Sequence, residues 1–365
     1  MPASARVGQR RAGGLVDRVV PRSLQRCLTL PGADRLLELR WAARIRRAQV
    51  MTPEQHSAAV ANPRRRGAEI EVTVACLLCG EARLQALLHA YDRKHKAPRW
   101  DYHVVRCARC GLLFRHPGIR PERLGDLYSS GKYARFLAGK YTRKRIRRYR
   151  VTMAPFGRLF RKGRGRRLLD FGCGNGLFLD IAHRRGFDCY GVDLAADAIE
   201  VVRQKPSGQH AYHGTPTDIP QLAAGGFDVI TMWSVLAHLA QPVDDLTMLR
   251  RLLAPSGVLL LLTVNAGSLK FKHDLETWGG FTANHLAFFA PDTLRLLLRR
   301  AGFRAVAMPP WYGGPVERGT TRLSAREQHH LRRVIDRGNR GNMLRAAAFV
   351  DPDEPKRWRL RSIPL

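Results

Sequence analysis

The residues best suited to chemistry are an aspartate and three glycines within residues 168–176, Leu-Leu-Asp-Phe-Gly-Cys-Gly-Asn-Gly. A short apolar run ends at Asp170, and Gly172, Gly174 and Gly176 follow at alternate positions. Glycine permits a sharp turn and lets a ligand come close to main-chain atoms. A strand, a glycine-rich turn and a helix in this order commonly hold a nucleotide-like cofactor in a doubly wound sheet. We therefore predict a cofactor site at this turn.

The spacing around the turn differs from the dinucleotide fingerprint G-x-G-x-x-G, in which pyrophosphate lies at a helix N-terminus. Here the pattern is D-x-G-x-G-x-G, and a carboxylate before the first glycine repels pyrophosphate but suits a cationic ligand. A second short strand candidate ends in Asp193, 17 residues after Gly176. An acid at the end of a second strand can accept hydrogen bonds from both ribose hydroxyls.

Together these motifs resemble those of the class I S-adenosylmethionine-dependent methyltransferases. The resemblance implies that Asp170 and the glycine loop hold the aminoacyl-sulfonium end of S-adenosylmethionine, and that Asp193 holds its ribose. It also implies that Asp218 binds the adenine amine and that the backbone amide of Ile219 meets the adenine ring. An unrelated Rossmann-type turn is the alternative interpretation.

Strand and helix patterns alternate between about residues 165 and 312. This alternation predicts an α/β fold, a Rossmann-like, doubly wound and mostly parallel sheet with helices on both faces. The later strands are expected at residues 209–213, 227–233, 258–264 and 303–308, and helices at residues 235–239, 246–253 and 291–302. The family resemblance adds one antiparallel strand at the sheet edge.

Four of the seven cysteines form two C-x-x-C-G turns, Cys76 with Cys79 and Cys107 with Cys110. Each such turn directs two thiolates at one tetrahedral ion, so the pair predicts a zinc ribbon. Four thiolates leave no open coordination position, and the predicted role of the zinc is structural. The long spacer predicts an inserted loop around residues 91–100. Two local redox pairs or unrelated thiols are the alternatives.

The ribbon segment at residues 104–117 resembles that of a large bacterial group of such methyltransferases, as do residues 127–133 and 265–303. The resemblance covers about residues 74–312. Members of the group act on sugars, lipid-linked molecules or polyketide-like molecules. The resemblance therefore implies methyl transfer to a small or lipid-linked acceptor, such as a sugar, a polysaccharide precursor or a natural product.

Two histidines are candidates for deprotonating the acceptor. His238 follows the fourth strand candidate, where the carboxyl edge of the sheet faces an acceptor, and His285 lies in a stretch that lines the acceptor side in relatives. Histidine suits a base near neutral pH. A structural role is the alternative for each, because methyl transfer from a sulfonium needs little beyond in-line positioning. Many relatives have Glu-His where this chain has Ala237 and His238, which argues against a metal-dependent transfer.

Residues 132–167 form a basic strip with 15 lysines or arginines, no acidic residue and interleaved aromatic residues. Such a strip can bind an anionic membrane surface or a lipid-linked pyrophosphate. Basic residues with aromatics also suit single-stranded RNA, so an RNA methyltransferase or RNA-binding protein is the alternative function. A solvated helix between the ribbon and the catalytic domain is the third interpretation.

The 365-residue chain has a formal net charge of +33, part of which reflects an arginine-rich composition. Because no apolar run reaches about 18 residues and the N-terminus lacks a signal-peptide pattern, we predict a cytoplasmic protein. Peripheral attachment to the inner membrane face remains an alternative.

Composition and motifs divide the chain into five predicted segments. They are a disordered arginine-rich tail at residues 1–70, in which Met51 is a candidate start, a zinc ribbon at 71–118, a basic helical linker at 119–165, a methyltransferase domain that binds S-adenosylmethionine at 166–312, and a C-terminal extension at 313–365.

Overall fold

The computed structural model describes residues 33–52, 55, 71–72, 74–92, 97–127, 143–160, 163–282, 284–311, 325–357, 360 and 363–364. Much of the basic strip and most of the segment predicted at residues 1–70 lie outside these residues. Among the described helices, none has both the length and the apolar character needed to cross a membrane.

The described residues contain strands of very different lengths. They are β1 (Glu71–Val72), β2 (Leu84–Asp92), β3 (Ala97–Cys107), β4 (Leu113–His116), β5 (Gly118–Ile119), β6 (Arg167–Phe171), β7 (Asp188–Asp193), β8 (His210–His213), β9 (Phe227–Trp233), β10 (Leu253–Val264), β11 (Ala287–Phe288), β12 (Ala305–Ala307), β13 (Met343–Phe349) and β14 (Ile363–Pro364).

The α-helices of the described residues lie before, between and after these strands. They are α1 (Ala33–Arg47), α2 (Arg143–Met153), α3 (Gly157–Phe160), α4 (Leu177–His183), α5 (Ala196–Arg203), α6 (Pro220–Ala223), α7 (Pro242–Leu252), α8 (Leu269–His273), α9 (Pro291–Arg300), α10 (Ala325–Gly338) and α11 (Glu354–Arg357).

The main sheet has eight strands in the order β14-β12-β13-β10-β9-β6-β7-β8. Strands β6 to β10 in this sheet pair in parallel, which confirms the predicted α/β fold with a mostly parallel sheet. The chain continues from β6 to β7 on one side and returns to β9 on the other. Such a reversal is a topological switch point, and open α/β sheets bind their ligands outside the carboxyl ends of the strands at this point.

Strand β10 shows why the sheet is covered on both faces. Its side chains alternate between two apolar cores, because successive residues of a strand point to opposite faces. Leu259 and Leu261 pack in the core that includes Leu246 of α7 and Leu294 of α9. Leu260 belongs to the opposite core, which contains residues of α4 and α5. A continuous apolar run at residues 258–264 is the sequence signature of this double burial.

Strand β13 corrects the predicted end of the sheet. The sequence placed the last strand at residues 303–308, the domain end at residue 312 and the antiparallel strand at the edge. Strand β12 falls within the predicted last strand, and the edge strand β14 pairs antiparallel with it. However, β13 lies inside the sheet, beyond the predicted domain end, and pairs antiparallel with both β10 and β12. Its alanines at 346–348 are fully buried. Short alanine side chains give a weak strand signal, and their burial depends on neighbours that are distant in sequence.

A smaller sheet carries the cysteine turns and has the order β11-β4-β3-β2. Residues 91–92 and 97–100 of the predicted inserted loop instead belong to β2 and β3, which form a long antiparallel pair. Strand β11 comes from the methyltransferase part of the chain and pairs antiparallel with β4. The ribbon and the larger domain therefore share a sheet.

Helix α1 corrects the prediction of disorder for part of residues 1–70. Trp41 packs edge-on against Phe271 of α8 with ring centroids 5.5 Å apart, and Glu38 accepts a 2.6 Å contact from Lys272 Nζ. After the helix, the Met51 amide donates to the Leu84 carbonyl at 2.8 Å. Met51, the candidate start, is thus preceded by a docked helix.

Candidate functional site

Asp170 is the next-to-last residue of β6 and lies at the carboxyl edge of the sheet. Its side chain is 2 % exposed, and its carboxylate accepts a hydrogen bond from Thr231 Oγ1 of β9 at 2.6 Å. Burial raises the pKa of the Asp170 carboxyl to about 7, and the Thr231 hydrogen bond only partly opposes this effect. A cation bound at this carboxyl would favour its ionised form.

Asp193 ends the neighbouring strand β7 and ties the glycine loop in place. One carboxylate oxygen accepts from the Gly174 amide at 2.8 Å, and the other accepts from the Ala195 amide at 2.9 Å. Asp193 also contributes to the raised pKa of Asp170, because the two negative charges repel. The structure therefore brings both predicted acids and the loop together.

Gly172 cannot be replaced by another residue without moving its neighbour. Its φ is +73°, in the left-handed region, and a Cβ at this position would lie 2.4 Å from Val235 Cγ2. Gly174 and Gly176 share the positive φ. The loop is thus pressed against the segment that follows β9, which carries the first candidate histidine.

Asp218 and Ile219 lie in the loop after β8, at the same edge of the sheet. The loop starts beside Asp193, whose carbonyl accepts from the Gly214 amide at 3.1 Å. The exposed carboxylate of Asp218 accepts hydrogen bonds from the hydroxyls of Thr215 and Thr217. The Ile219 side chain is buried. The loop therefore presents a fixed acid at the edge, next to the second strand.

His238 and His285 are brought together, although 46 residues separate them in sequence. Their ring centroids are 4.8 Å apart in an edge-on arrangement. The contact follows from backbone pairing, because the Leu286 amide donates to the Ala237 carbonyl at 2.6 Å. His285 Nδ1 lies 2.5 Å from the Gly280 carbonyl, which can only accept, so Nδ1 carries the proton and Nε2 is the basic nitrogen of the neutral ring.

An aromatic cluster that the sequence analysis missed stands beside the glycine loop. Phe178 of α4 packs against Trp233 with ring centroids 5.1 Å apart and against Tyr149 of α2 at 5.5 Å. Thr231, the partner of Asp170, was also missed. A polar residue within the apolar run of β9 was the available signal for Thr231, whereas nothing in the sequence linked Tyr149 to residues so distant.

The four cysteines of the ribbon form a compact group. Their sulfur atoms all lie within 4.8 Å of one another, with Cys76 and Cys110 at 3.4 Å and Cys79 and Cys107 at 3.5 Å. Four sulfurs about 2.3 Å from one zinc ion are about 3.8 Å apart. The Leu78 amide points at Cys76 Sγ and the Cys110 amide at Cys107 Sγ. The donor set and its spacing fit a tetrahedral metal.

Comparison with known proteins gives the family. Residues 139–308 match the methyltransferase domain family. The ubiquinone biosynthesis O-methyltransferase of Roseobacter denitrificans is 32% identical over 176 residues, which are 45% of this chain and 70% of that relative. The chain belongs to the S-adenosylmethionine-dependent methyltransferases. A second relative with the same name, from Cereibacter sphaeroides, is 36% identical over 154 residues, 39% of the methyltransferase chain and 62% of the relative.

Solved structures resemble the methyltransferase more distantly. The plantazolicin methyltransferase BamL, in complex with a triazolic desmethylPZN analog and SAH, is 14% identical with a TM-score of 0.43, and covers 63% of this chain and 95% of its own. A possible histamine N-methyltransferase from Thermotoga maritima is 19% identical with a TM-score of 0.41, covering 63% and 99%. Neither identifies an acceptor for the present methyltransferase.

The residues of the methyltransferase fit its cofactor. The left-handed glycines leave space at the backbone, and the buried carboxyl of Asp170 faces an edge where a sulfonium and an ammonium would offset its lost hydration. Asp193 uses each oxygen for one amide, and each oxygen retains a second lone pair for a ribose hydroxyl. Asp170, Asp193 and the glycine loop are therefore suited to S-adenosylmethionine.

Proposed function

We propose that this methyltransferase methylates a hydroxyl oxygen of a small or lipid-linked acceptor held at the carboxyl edge of the sheet. The observation that carries the proposal is the contact between the glycine loop and the segment that bears the candidate histidine. Val235 abuts Gly172, and the His238 amide donates to the Val235 carbonyl at 2.8 Å. Two relatives named ubiquinone biosynthesis O-methyltransferase support oxygen as the accepting atom.

The proposal assigns different roles to the acids and the histidines at this edge. When bound, S-adenosylmethionine supplies a methyl group activated by the positive sulfonium. Asp170 and Asp193 orient the cofactor, and His285 Nε2 is the proposed acceptor of the hydroxyl proton. His238 packs against that ring and holds it at the edge. Positioning supplies most of the rate enhancement in such a transfer, and a general base adds about a hundredfold or more.

A methyl-transfer assay with a panel of acceptors tests this proposal. The panel contains phenols, sugars, lipid-linked sugars and transfer RNA, and the NMR signal of the transferred methyl group distinguishes an O-methyl group from an N-methyl or C-methyl group. We expect an O-methylated small or lipid-linked product, and we expect His285→Gln to lower kcat about a hundredfold with unchanged affinity for S-adenosylmethionine.

His183→Gln is the matched control, because His183 ends α4 and is exposed. Equal activity of His285→Gln and His183→Gln would show that His285 does not accept the hydroxyl proton. Methylation of transfer RNA alone would instead establish the RNA alternative. Titration of S-adenosylhomocysteine into the same samples shows whether each variant still binds cofactor.

We also propose that the four ribbon cysteines hold a structural zinc ion. The proposal is supported by the sulfur separations and by the burial of Cys76 and Cys107, which are 4% and 0% exposed. Four thiolates would complete the coordination sphere, so the zinc would take no part in methyl transfer.

The described part of the basic strip gives more support to an anionic surface or group than to RNA as its partner. Phe156 and Phe160 are only 1% and 2% exposed, and Tyr149 packs in the aromatic cluster. Stacking on bases requires exposed rings. Arg143, Arg147 and Arg150 are exposed on α2, and a membrane with anionic lipids remains a proposed partner of that face.

A further inference from the structure

Helix α2 places its basic residues on two different faces. It contains six arginines and lysines among its 11 residues and no acid. Residues three, four and seven apart share a helix face, and Thr152 is only 1% exposed, so Arg145 and Arg148 lie on the Thr152 side of the helix. Arg145 is half-buried there, whereas the Arg148 side chain is exposed. Arg143 and Arg147 lie on the opposite, exposed side.

The inner face of α2 meets the carboxyl end of β9. The Arg148 guanidinium donates to Ser234 Oγ at 3.5 Å, and Ser234 is the first residue after β9. Its φ of 63° is in the left-handed region, which serine rarely adopts and which is common at functional sites. Tyr149, the next residue on α2, packs against Trp233 with ring centroids 6.3 Å apart.

A buried arginine fixes the position of α2. Arg345 of β13 is 6% exposed, and its guanidinium donates to the carbonyls of Val151 at 2.8 Å and Thr152 at 3.4 Å. It also donates to the Pro309 carbonyl at 3.1 Å. These bonds satisfy helix C-terminal carbonyls that otherwise lack partners. These bonds hold α2 in place, and with it the backbone from which Arg145 and Arg148 extend.

We propose that Arg145 and Arg148 bind an oxyanion of the acceptor, a carboxylate or a phosphate, beside Ser234. The inference rests on the proposed function and names the class of its substrate: an acceptor that carries a negative charge near its methyl-accepting hydroxyl. Guanidinium groups bind both oxyanions through paired hydrogen bonds. Asp170 and Asp193, on the cofactor side, would repel the same anion. The negative carboxylates therefore favour the cationic cofactor, whereas the positive guanidinium groups favour the anionic acceptor.

The test measures anion binding to the protein saturated with S-adenosylhomocysteine. Inorganic pyrophosphate and benzoate are titrated calorimetrically as probes for a phosphate and a carboxylate. We expect wild type to bind at least one of them at a single site, and the preferred probe tells which oxyanion the site takes. Arg145→Gln and Arg148→Gln should each weaken that binding about tenfold.

Arg143→Gln and Arg147→Gln are matched controls, because they remove the same charge from the outer face of the same helix. The controls should change the affinity less than twofold. Equal weakening by Arg147→Gln and Arg148→Gln would show that net charge alone attracts the anion and would overturn the proposal, as would the lack of single-site binding by wild type.

The cofactor itself carries a carboxylate, and the same samples separate this alternative. If Arg148→Gln weakens S-adenosylhomocysteine tenfold and leaves the anion affinity unchanged, the arginines serve the cofactor and the inference is wrong. If wild type does not bind S-adenosylhomocysteine, cofactor binding itself has failed, whatever the anion titrations show.

Discussion

Asp170 combines two properties that conflict in the protein without cofactor: it is buried, and it is an acid. Burial costs more for the charged form than for the neutral form, and the pKa of about 7 reflects this cost. The Thr231 hydroxyl supplies one hydrogen bond, which does not replace full hydration. A bound cation would therefore stabilise the ionised carboxylate of Asp170, which burial disfavours.

This property predicts a pH-dependent affinity for S-adenosylmethionine. Below about pH 7 Asp170 is protonated in the free protein, and binding a cation must release that proton. The affinity should therefore rise as pH increases toward 7, by up to about tenfold per pH unit, and level off above it. Calorimetry in buffers of different ionisation enthalpy measures both the affinity and the released proton.

Asp170→Asn is the control for the pH dependence, because it keeps the size and the hydrogen-bond acceptor of the side chain. It should bind more weakly at pH 8 and should show no rise between pH 5 and 7. A pH profile identical to wild type would contradict the assignment of the proton to Asp170.

At this scale the sequence predicted the acids and the glycines but not their partners. Asp170 and Asp193 are recognisable because they follow short apolar runs at a fixed distance from Gly172. Thr231 and Tyr149 depend on contacts across strands and helices. His238 and His285 were predicted separately, and only the pairing of Leu286 with Ala237 shows that they touch.

Strand β13 has an outsized role for a strand that lies outside the matched domain. Phe349 is fully buried and lies opposite Val258 on one side and Ala305 on the other. Loss of a large side chain there leaves a cavity against both neighbours. The strand thus joins the parallel half of the sheet to β12.

Phe349→Ala should lower the free energy of unfolding by about 3–5 kcal/mol, the usual cost of truncating a buried phenylalanine. Urea denaturation followed by circular dichroism measures the change. Val201→Ala is the comparison, because Val201 on α5 is 38% exposed and should cost well under about 1 kcal/mol. A loss below about 1 kcal/mol for Phe349→Ala would show that β13 contributes little to the sheet.

The predicted elements were most accurate where the hydrophobic pattern was local. Residues 227–233 and 291–302 were predicted as a strand and a helix, and the structure has β9 and α9 there. The prediction failed for β13, whose Arg-Ala-Ala-Ala stretch has no strong pattern, and for the ends of β2 and β3 that lie within residues 91–100, which were predicted as a loop.

Across the molecule, the ribbon and the methyltransferase domain behave as neighbours in one sheet. Phe114 of β4 pairs with Ala287 of β11, and the Tyr102 hydroxyl donates to the Thr282 carbonyl at 3.3 Å. Since His285 lies between Thr282 and β11, the ribbon contacts both ends of the segment that carries the proposed base. The sequence predicted both parts but had no signal for their pairing.

Loss of the proposed ribbon zinc should therefore loosen the segment around His285 more than the glycine loop. Cys110→Ser is expected to lose zinc in metal analysis, because three thiolates and a hydroxyl bind it weakly. Hydrogen exchange should then rise at residues 284–288, while residues 167–193 and the affinity for S-adenosylhomocysteine stay close to wild type.

Cys189→Ala is the comparison variant, because Cys189 is buried in β7 away from the four ribbon cysteines. It should retain the zinc. If a metal-free Cys110→Ser protein exchanges amide hydrogens at residues 284–288 as slowly as wild type, the ribbon does not stabilise the segment around His285.

During synthesis, β10 emerges well before β13, its antiparallel neighbour in the sheet. At about 5–20 residues per second, the ribosome needs about 4–17 seconds to extend the nascent chain from Val264 to Phe349. Throughout that interval the apolar run of β10 has one unpaired edge, and unpaired edges recruit other strands. Nascent chains should thus be most prone to aggregate before β13 has been synthesised, and a holdase chaperone would protect them best in that interval.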